Sequence, residues 1–258
     1  MITPEWLLGL GAGALVGFTL GLVGGGGSIL ATPLLVYVAG VANPHVAIGT
    51  SAVVVAANAF VNLLNHARAG NVKWRCATVF SLAGVAGATV GAAFGKSIDG
   101  GRLLALFALL MLAVGVLMLR GRAGVGEPSV RLNRSNFPKL AAAGAGAGAL
   151  SGFFGVGGGF LIAPALVAAT GMPLVFAIGS SLAAVTAFGL TTAISYAVSG
   201  LVDWRLAALF IGGGVAGGLP GAWAARRLAS SRGVLNRLLA VIIIAVALYM
   251  LARAAGLH

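Results

Sequence analysis

Apolar runs, broken by glycines or by short charged stretches, divide the chain into ten segments. The first five are Trp6 to Val23, Ile29 to Ala39, Val46 to Leu64, Cys76 to Phe94 and Leu103 to Leu119. The second five are Leu140 to Phe154, Phe160 to Thr170, Val175 to Val198, Leu206 to Ala225 and Val234 to Leu251. A helix needs roughly 20 apolar residues to cross about 30 Å of hydrocarbon, and most of these runs approach that length. The second run of each set does not, at 1.5 Å of rise per residue. Between the sets, residues 120–138 are polar, with Arg120, Arg122, Arg131 and Arg134 (and the nearby Lys139) against Glu127. The pattern predicts an all-α polytopic membrane protein: a first transmembrane repeat over 1–119, a basic cytoplasmic linker over 120–138 and a second repeat over 139–258.

The two sets are copies. A shift of 131 positions lays Gly13, Gly17, Gly21, Gly24, Gly26, Gly27 and Pro33 on Gly144, Gly148, Gly152, Gly155, Gly157, Gly158 and Pro164. After a one-residue gap, Ile48-Gly49-Thr50-Ser51 falls on Ile178-Gly179-Ser180-Ser181. At the same offset Gly70-x-Val72-x-Trp74-Arg75 falls on Gly200-x-Val202-x-Trp204-Arg205. Duplicated apolar chains whose helices break at matching places are a common plan for transporters, with the substrate held between the repeats.

Composition sharpens the class. Hydrophobic residues make up 60% and charged residues 8%, against about a quarter charged in soluble domains. The 42 glycines would weaken soluble helices but let helices approach closely in lipid. A net charge of +12 would suit nucleic acid, yet the basic residues are scattered through the loops, where they set membrane orientation. No nucleic-acid partner is expected. Cys76 stands alone, so neither a disulfide nor a cysteine metal site is expected. The first apolar run has no basic stretch ahead of it, so no cleaved leader is expected either.

Loop charges predict orientation. Arg68, Lys73 and Arg75 correspond to Asp203 and Arg205, which cancel. Lys96, Asp99 and Arg102 correspond to a stretch with Arg226, Arg227, Arg232 and Arg237. Equivalent loops of opposite bias belong on opposite sides. Five crossings per repeat satisfy this, because an odd number inverts the second repeat. With the linker in the cytoplasm, both termini fall outside. Re-entrant second segments would instead leave four crossings and put equivalent loops on one side.

The pattern G-x-G-G-[GS]-x-x-x-x-P occurs at 24–33 and at 155–164, just before each short segment. Irregular backbone at membrane depth survives only when buried in protein or lining a wet cavity. A helix starting after such a cluster points unpaired N–H groups and a positive dipole end at the break, which suits an anion. Candidate ligands are therefore Gly26, Gly27, Ser28, Gly157, Gly158 and Gly159. Thr50, Ser51, Ser180 and Ser181 offer hydroxyls that either cap the third helix or form polar walls of one cavity. Asn58, Asn62 and Asn65 share a helix face, Asn58 and Asn62 being candidates to line a pathway, and His66 is a candidate ligand or proton carrier. The glycines at four-residue spacing, such as Gly13 and Gly17, suit close helix crossing instead. The four acids lie at segment ends or in loops, unlike the intramembrane acids of cation carriers. No catalytic set or metal-ligand cluster emerges, so no enzyme activity, metal or cofactor is expected.

Taken together, the doubled glycine–proline element, the I-G-[TS]-S elements at 48–51 and 178–181 and the G-x-V-x-W-R elements at 70–75 and 200–205 resemble the TauE/SafE family of sulfite exporter-like permeases. The first copy departs in having Ser28 where the second has Gly159. The resemblance implies an inner-membrane carrier of small sulfur-containing anions such as sulfite, sulfonates or sulfoacetate. The expected mechanism is export by alternating access, one repeat rocking against the other, with a small anion and the bilayer as partners and a homo-oligomer possible. A passive anion channel and a non-transporting membrane scaffold are the alternatives.

Overall fold

The computed structural model describes residues 4–23, 28–120, 136–155, 158–227 and 232–255. These form α1 (Pro4–Val23), α2 (Ala31–Tyr37), α3 (Pro44–Arg68), α4 (Trp74–Ser97) and α5 (Gly100–Arg120) in the first half. The second half holds α6 (Phe137–Phe154), α7 (Gly159–Thr170), α8 (Leu174–Val198), α9 (Trp204–Arg227) and α10 (Arg232–Ala254). No strand occurs among the described residues. The helix starts carry recognisable signals. Asn43 caps α3 by accepting from the His45 amide at 2.9 Å, with Pro44 in the first turn, where its missing N–H costs nothing. α2 and α7 are the short pair, at 7 and 12 residues. Most of the 120–138 linker lies outside the described residues.

Packing interleaves the halves. The most extensive helix contacts are α4 with α6 and α1 with α9, followed by α3 with α8 and α5 with α10. Each of these pairs takes one helix from each half. The first two are glycine crossings. A Cβ on Gly13 would strike the backbone of Phe210, and one on Gly17 the backbone of Gly214. In the matching crossing, Gly144 meets Phe80 and Gly148 meets Gly84. Only hydrogen fits between these chains, and the close approach maximises dispersion where no hydrophobic drive operates between helices. The pairings advance together along both chains, so α1 runs parallel to α9 and α4 parallel to α6. On α3 and α8 they run oppositely. Gly49 sits by Tyr196 and Leu201, Ala56 by Gly189, and Asn71 by Gly179, which makes this pair antiparallel.

The distribution of polarity is that of a multi-pass membrane protein. Among the described residues, 4 helices are long and apolar enough to cross a bilayer. Leu82, Phe94, Leu117 and Ile194 face outward, each more than half exposed, a surface suited to lipid rather than water. Thr32, Thr50, Ser51, Asn58 and Ser180 lie inside.

Candidate functional site

The break between α6 and α7 is built on two left-handed glycines. Gly155 ends α6 at φ 67°, and Gly158 precedes α7 at φ 63°. A side chain is strained in that region, and here it would also lack room: a Cβ on Gly155 would overlap Ile48, and one on Gly158 would stand 2.8 Å from the Ser151 Cβ. The amides of Leu161 and Ile162 both donate to the Gly158 carbonyl, at 2.9 and 3.1 Å. Helix geometry leaves the preceding N–H groups, on Gly159 and Phe160, without an intrahelical acceptor. Gly158 and Gly159 are buried. Of the other glycine candidates, Gly26, Gly27 and Gly157 lie outside the described residues. Ser28 is buried, in a short 3₁₀ turn ahead of α2.

Ser51 stitches this break to the first half. Its Oγ lies 2.8 Å from the Ile48 carbonyl, 3.1 Å from the Gly155 carbonyl and 2.9 Å from Thr32 Oγ1. With one proton on Ser51, the consistent arrangement has Thr32 donating to it while its own proton is shared between the carbonyls. Ser181, its counterpart, is buried and donates back to Ile178 at 2.8 Å. Position 163, the counterpart of Thr32, is alanine.

Thr50 and Ser180 each tie down a loop of the opposite half. Thr50 Oγ1 accepts from the Asp203 amide, and Ser180 Oγ accepts from the Lys73 amide, both at 2.9 Å. Beside them, a Cβ on Gly49 would overlap the Leu201 carbonyl, and one on Gly179 the Asn71 carbonyl. The I-G-[TS]-S and G-x-V-x-W-R elements are therefore two sides of one contact, made twice. Glycine admits the opposite half's loop, and the hydroxyl takes its amide.

Along α3, Ser51, Asn58 and Asn62 form one buried stripe; Asn65 is exposed and His66 half-buried. The Asn58 side chain packs where Gly214 lacks a Cβ, and its Nδ2 has no hydrogen-bond partner. Asn62 Nδ2 donates to the Asn58 carbonyl at 2.9 Å. On α8 the matching slot is apolar: Phe188 fills the space at Gly84 and stacks on Phe80, centroids 6.1 Å apart. Asp99 and Asp203 each accept from an amide three residues on, Arg102 and Leu206. They cap helix starts.

Comparison with known proteins identifies the family. The sequence profile of the sulfite exporter TauE/SafE family matches residues 9–250. The chain belongs to the TauE/SafE family. A probable membrane transporter protein of Xylella fastidiosa (strain 9a5c) is 55% identical over 255 residues, covering 98% of this chain and 97% of its own. The probable membrane transporter protein YunE of Bacillus subtilis (strain 168) is 26% identical, over 90% of this chain and 93% of its own. Probable membrane transporter protein MJ0441 of Methanocaldococcus jannaschii is 30% identical over 174 residues, 64% of each. No solved structure matches the chain.

The TauE/SafE motifs did not point to Ser151. It is 1% exposed, its Oγ has no partner, and that oxygen stands 3.2 Å from where a Gly158 side chain would begin. The one signal in the sequence is a mismatch: its counterpart in the first half is Leu20.

Proposed function

We propose that this protein carries small sulfur-containing anions, such as sulfite, sulfonates or sulfoacetate, out of the cell by alternating access between its two repeats. The observation that carries this is the α6–α7 break. Gly158 turns the chain so that α7 begins inside the protein with the Gly159 and Phe160 N–H groups unclaimed by the helix. Such an end favours an anion through both its donors and its dipole. Ser51 and Thr32 stand beside the Gly155 side of the break. Asn58 and Asn62 continue the polar stripe along α3. In sequence, Gly26, Gly27 and Ser28 are the first half's counterpart of this element, and Gly157 belongs to the second-half motif, so both are included in the proposed site.

The helix directions support opposite insertion of the repeats. Antiparallel α3 and α8, with α1 parallel to α9, are what five crossings per repeat require. Four crossings per repeat would make α3 and α8 parallel while leaving α1 parallel to α9, so the α3–α8 pair is the one that discriminates. With the 120–138 linker cytoplasmic, both termini lie in the periplasm. Under an inside-negative potential each exported negative charge gains roughly 2.3 kcal/mol per 100 mV, so export needs no coupling ion.

The test is flux of ³⁵S-labelled sulfite and sulfoacetate in proteoliposomes carrying the wild type or Gly158→Leu. Loss of saturable flux in a variant that inserts normally is expected. Normal flux in that variant would remove the break from the site, and non-saturating wild-type flux without counterflow would indicate a channel.

A further inference from the structure

Hydroxyls on the described helices commonly follow a habit that Ser151 breaks, as do Ser81, Thr192 and Tyr196 elsewhere in the protein. Thr19, Thr170, Thr186 and Thr191 each donate to a carbonyl one helical turn back, at 2.7–2.9 Å. This is the default for serine and threonine in helices without water. Ser151 could do the same on α6, yet its Oγ bonds to nothing while 99% of the residue is buried. Buried polar atoms without partners are few in folded proteins, and each calls for an explanation.

Its position supplies one. Gly158 folds back against the last two turns of α6, so a Cβ there would lie 3.2 Å from Ser151 Oγ and 3.5 Å from the Ala147 carbonyl. The Ser151 side chain therefore lies against Gly158, from which α7 starts. A donor without an acceptor thus lies beside the residue that precedes α7, whose first N–H groups the helix leaves unclaimed. The ligand complementary to both is an acceptor with several oxygens and a negative charge. At the corresponding position of the first half stands Leu20, which has no donor and is itself buried.

Resting on the anion-carrier reading, we propose that Ser151 is a substrate-binding residue, its hydroxyl donating to an oxygen of the anionic head group at the amino end of α7. The site is thereby asymmetric. The duplicated fold holds one anion per chain, at the second-half break, instead of one at each break.

Equilibrium dialysis of purified full-length protein against ³⁵S-sulfite and, separately, labelled sulfoacetate tests this, alongside thermal melts with and without anion. The wild type is expected to bind one anion per chain. Ser151→Ala should weaken binding by about ten- to a hundredfold, the loss of one hydrogen bond to a charged group. Its melting temperature without anion should stay level or rise, because an unpaired buried hydroxyl has gone. Ser151→Thr should restore affinity. Two anions per wild-type chain would overturn the asymmetry. Wild-type affinity in Ser151→Ala, whether or not its anion-free melting temperature falls, would reduce Ser151 to a structural residue while leaving the carrier reading intact. Failure of the wild type to bind either anion would overturn both.

Discussion

Alanine at Gly148 and alanine at Gly146 sit two residues apart on α6 and should shift stability in opposite directions. At Gly148 the added methyl would overlap the Gly84 carbonyl and stand 2.6 Å from that residue's Cα. Carbon atoms rest at about 3.5–4.0 Å, so α4 and α6 must part by roughly 1 Å. The obstacle is backbone and has no rotamer that could swing aside. A gap of that size forfeits up to about half the dispersion well for atoms along the crossing. The loss spreads to Gly144 and Gly152 on α6 and to Gly87, Gly91 and Gly95 on α4, which meet backbone in the same way. Overpacking typically costs about 1–3 kcal/mol, and a rigid obstacle puts Gly148→Ala at the upper end. At Gly146 nothing lies within 4 Å of an added Cβ, and alanine there gains up to about 1 kcal/mol of helix propensity. The two variants should separate by about 2–4 kcal/mol in reversible unfolding in mixed micelles, followed by helical circular dichroism as the SDS fraction rises. Coincident midpoints would refute the claim that these glycines set the distance between α4 and α6.

The loop ties give a second test. Thr50→Val and Ser180→Ala should each cost about 0.5–1.5 kcal/mol and speed hydrogen exchange at the Asp203 and Lys73 amides respectively; unchanged exchange would show that the hydroxyls do not hold those loops. Phe188→Ala empties the slot at Gly84 and Phe80 and should cost about 3–5 kcal/mol in the same unfolding assay, with a loss under about 1 kcal/mol meaning that the slot collapses without strain. Ser51→Ala removes the bridge between Thr32 and the Gly155 carbonyl. It should slow anion flux in proteoliposomes at unchanged protein level, and full flux would detach Ser51 from the transport site.

Much of this fold is written in local pattern. The ten helices follow the apolar runs, because in hydrocarbon each backbone amide must be satisfied within its own helix. α7 begins at Gly159, one residue ahead of the run expected from Phe160. α2 is a regular helix only over Ala31–Tyr37, with the 3₁₀ turn carrying Ser28 to Leu30. The glycines of four-residue spacing fulfil their expected role at helix crossings, but the sequence does not name their partners, since glycine matches any close backbone equally well. For the same reason the meeting of Gly49 and Thr50 with the loop of Leu201 and Asp203 was hidden, although both motifs were visible. Periodicity placed Asn65 with Asn58 and Asn62, yet only the latter two are buried. The hundred-degree step of a helix puts position 65 at the edge of that face, near the end of α3, where cover from neighbouring helices runs out. Ser151 was illegible because nothing local distinguishes a serine that bonds its own helix from one that does not.

The interleaving also limits how such a protein can move. Rocking of the first sequence half against the second would tear α1 from α9 and α6 from α4, the two crossings in which backbone lies directly on backbone. Those are the contacts least able to slide, since a shift along either axis drives the next non-glycine residue into the opposing chain. α1 must therefore travel with α9, and α4 with α6. The surfaces left to slip are the looser ones: the antiparallel α3–α8 pair, where a Cβ on Gly189 would stand 3.0–3.3 Å from Ala56 and the Ala52 carbonyl, and the α5–α10 pair, where the Ile244 side chain lies over Gly115. Asn58 and Phe188 sit on the helices of the first of these surfaces, each lodged against one crossed pair, the amide at Gly214 and the ring at Gly84. Equivalent slots filled by an unpartnered amide and by a stacked phenyl ring differ in affinity for polar solute, so the two crossed pairs are unequal although the backbone that builds them is duplicated. That inequality resides in side chains at Asn58, Phe188, Leu20 and Ser151 rather than in the backbone, and it cannot set the direction of net movement of an ion, which follows the electrochemical gradient.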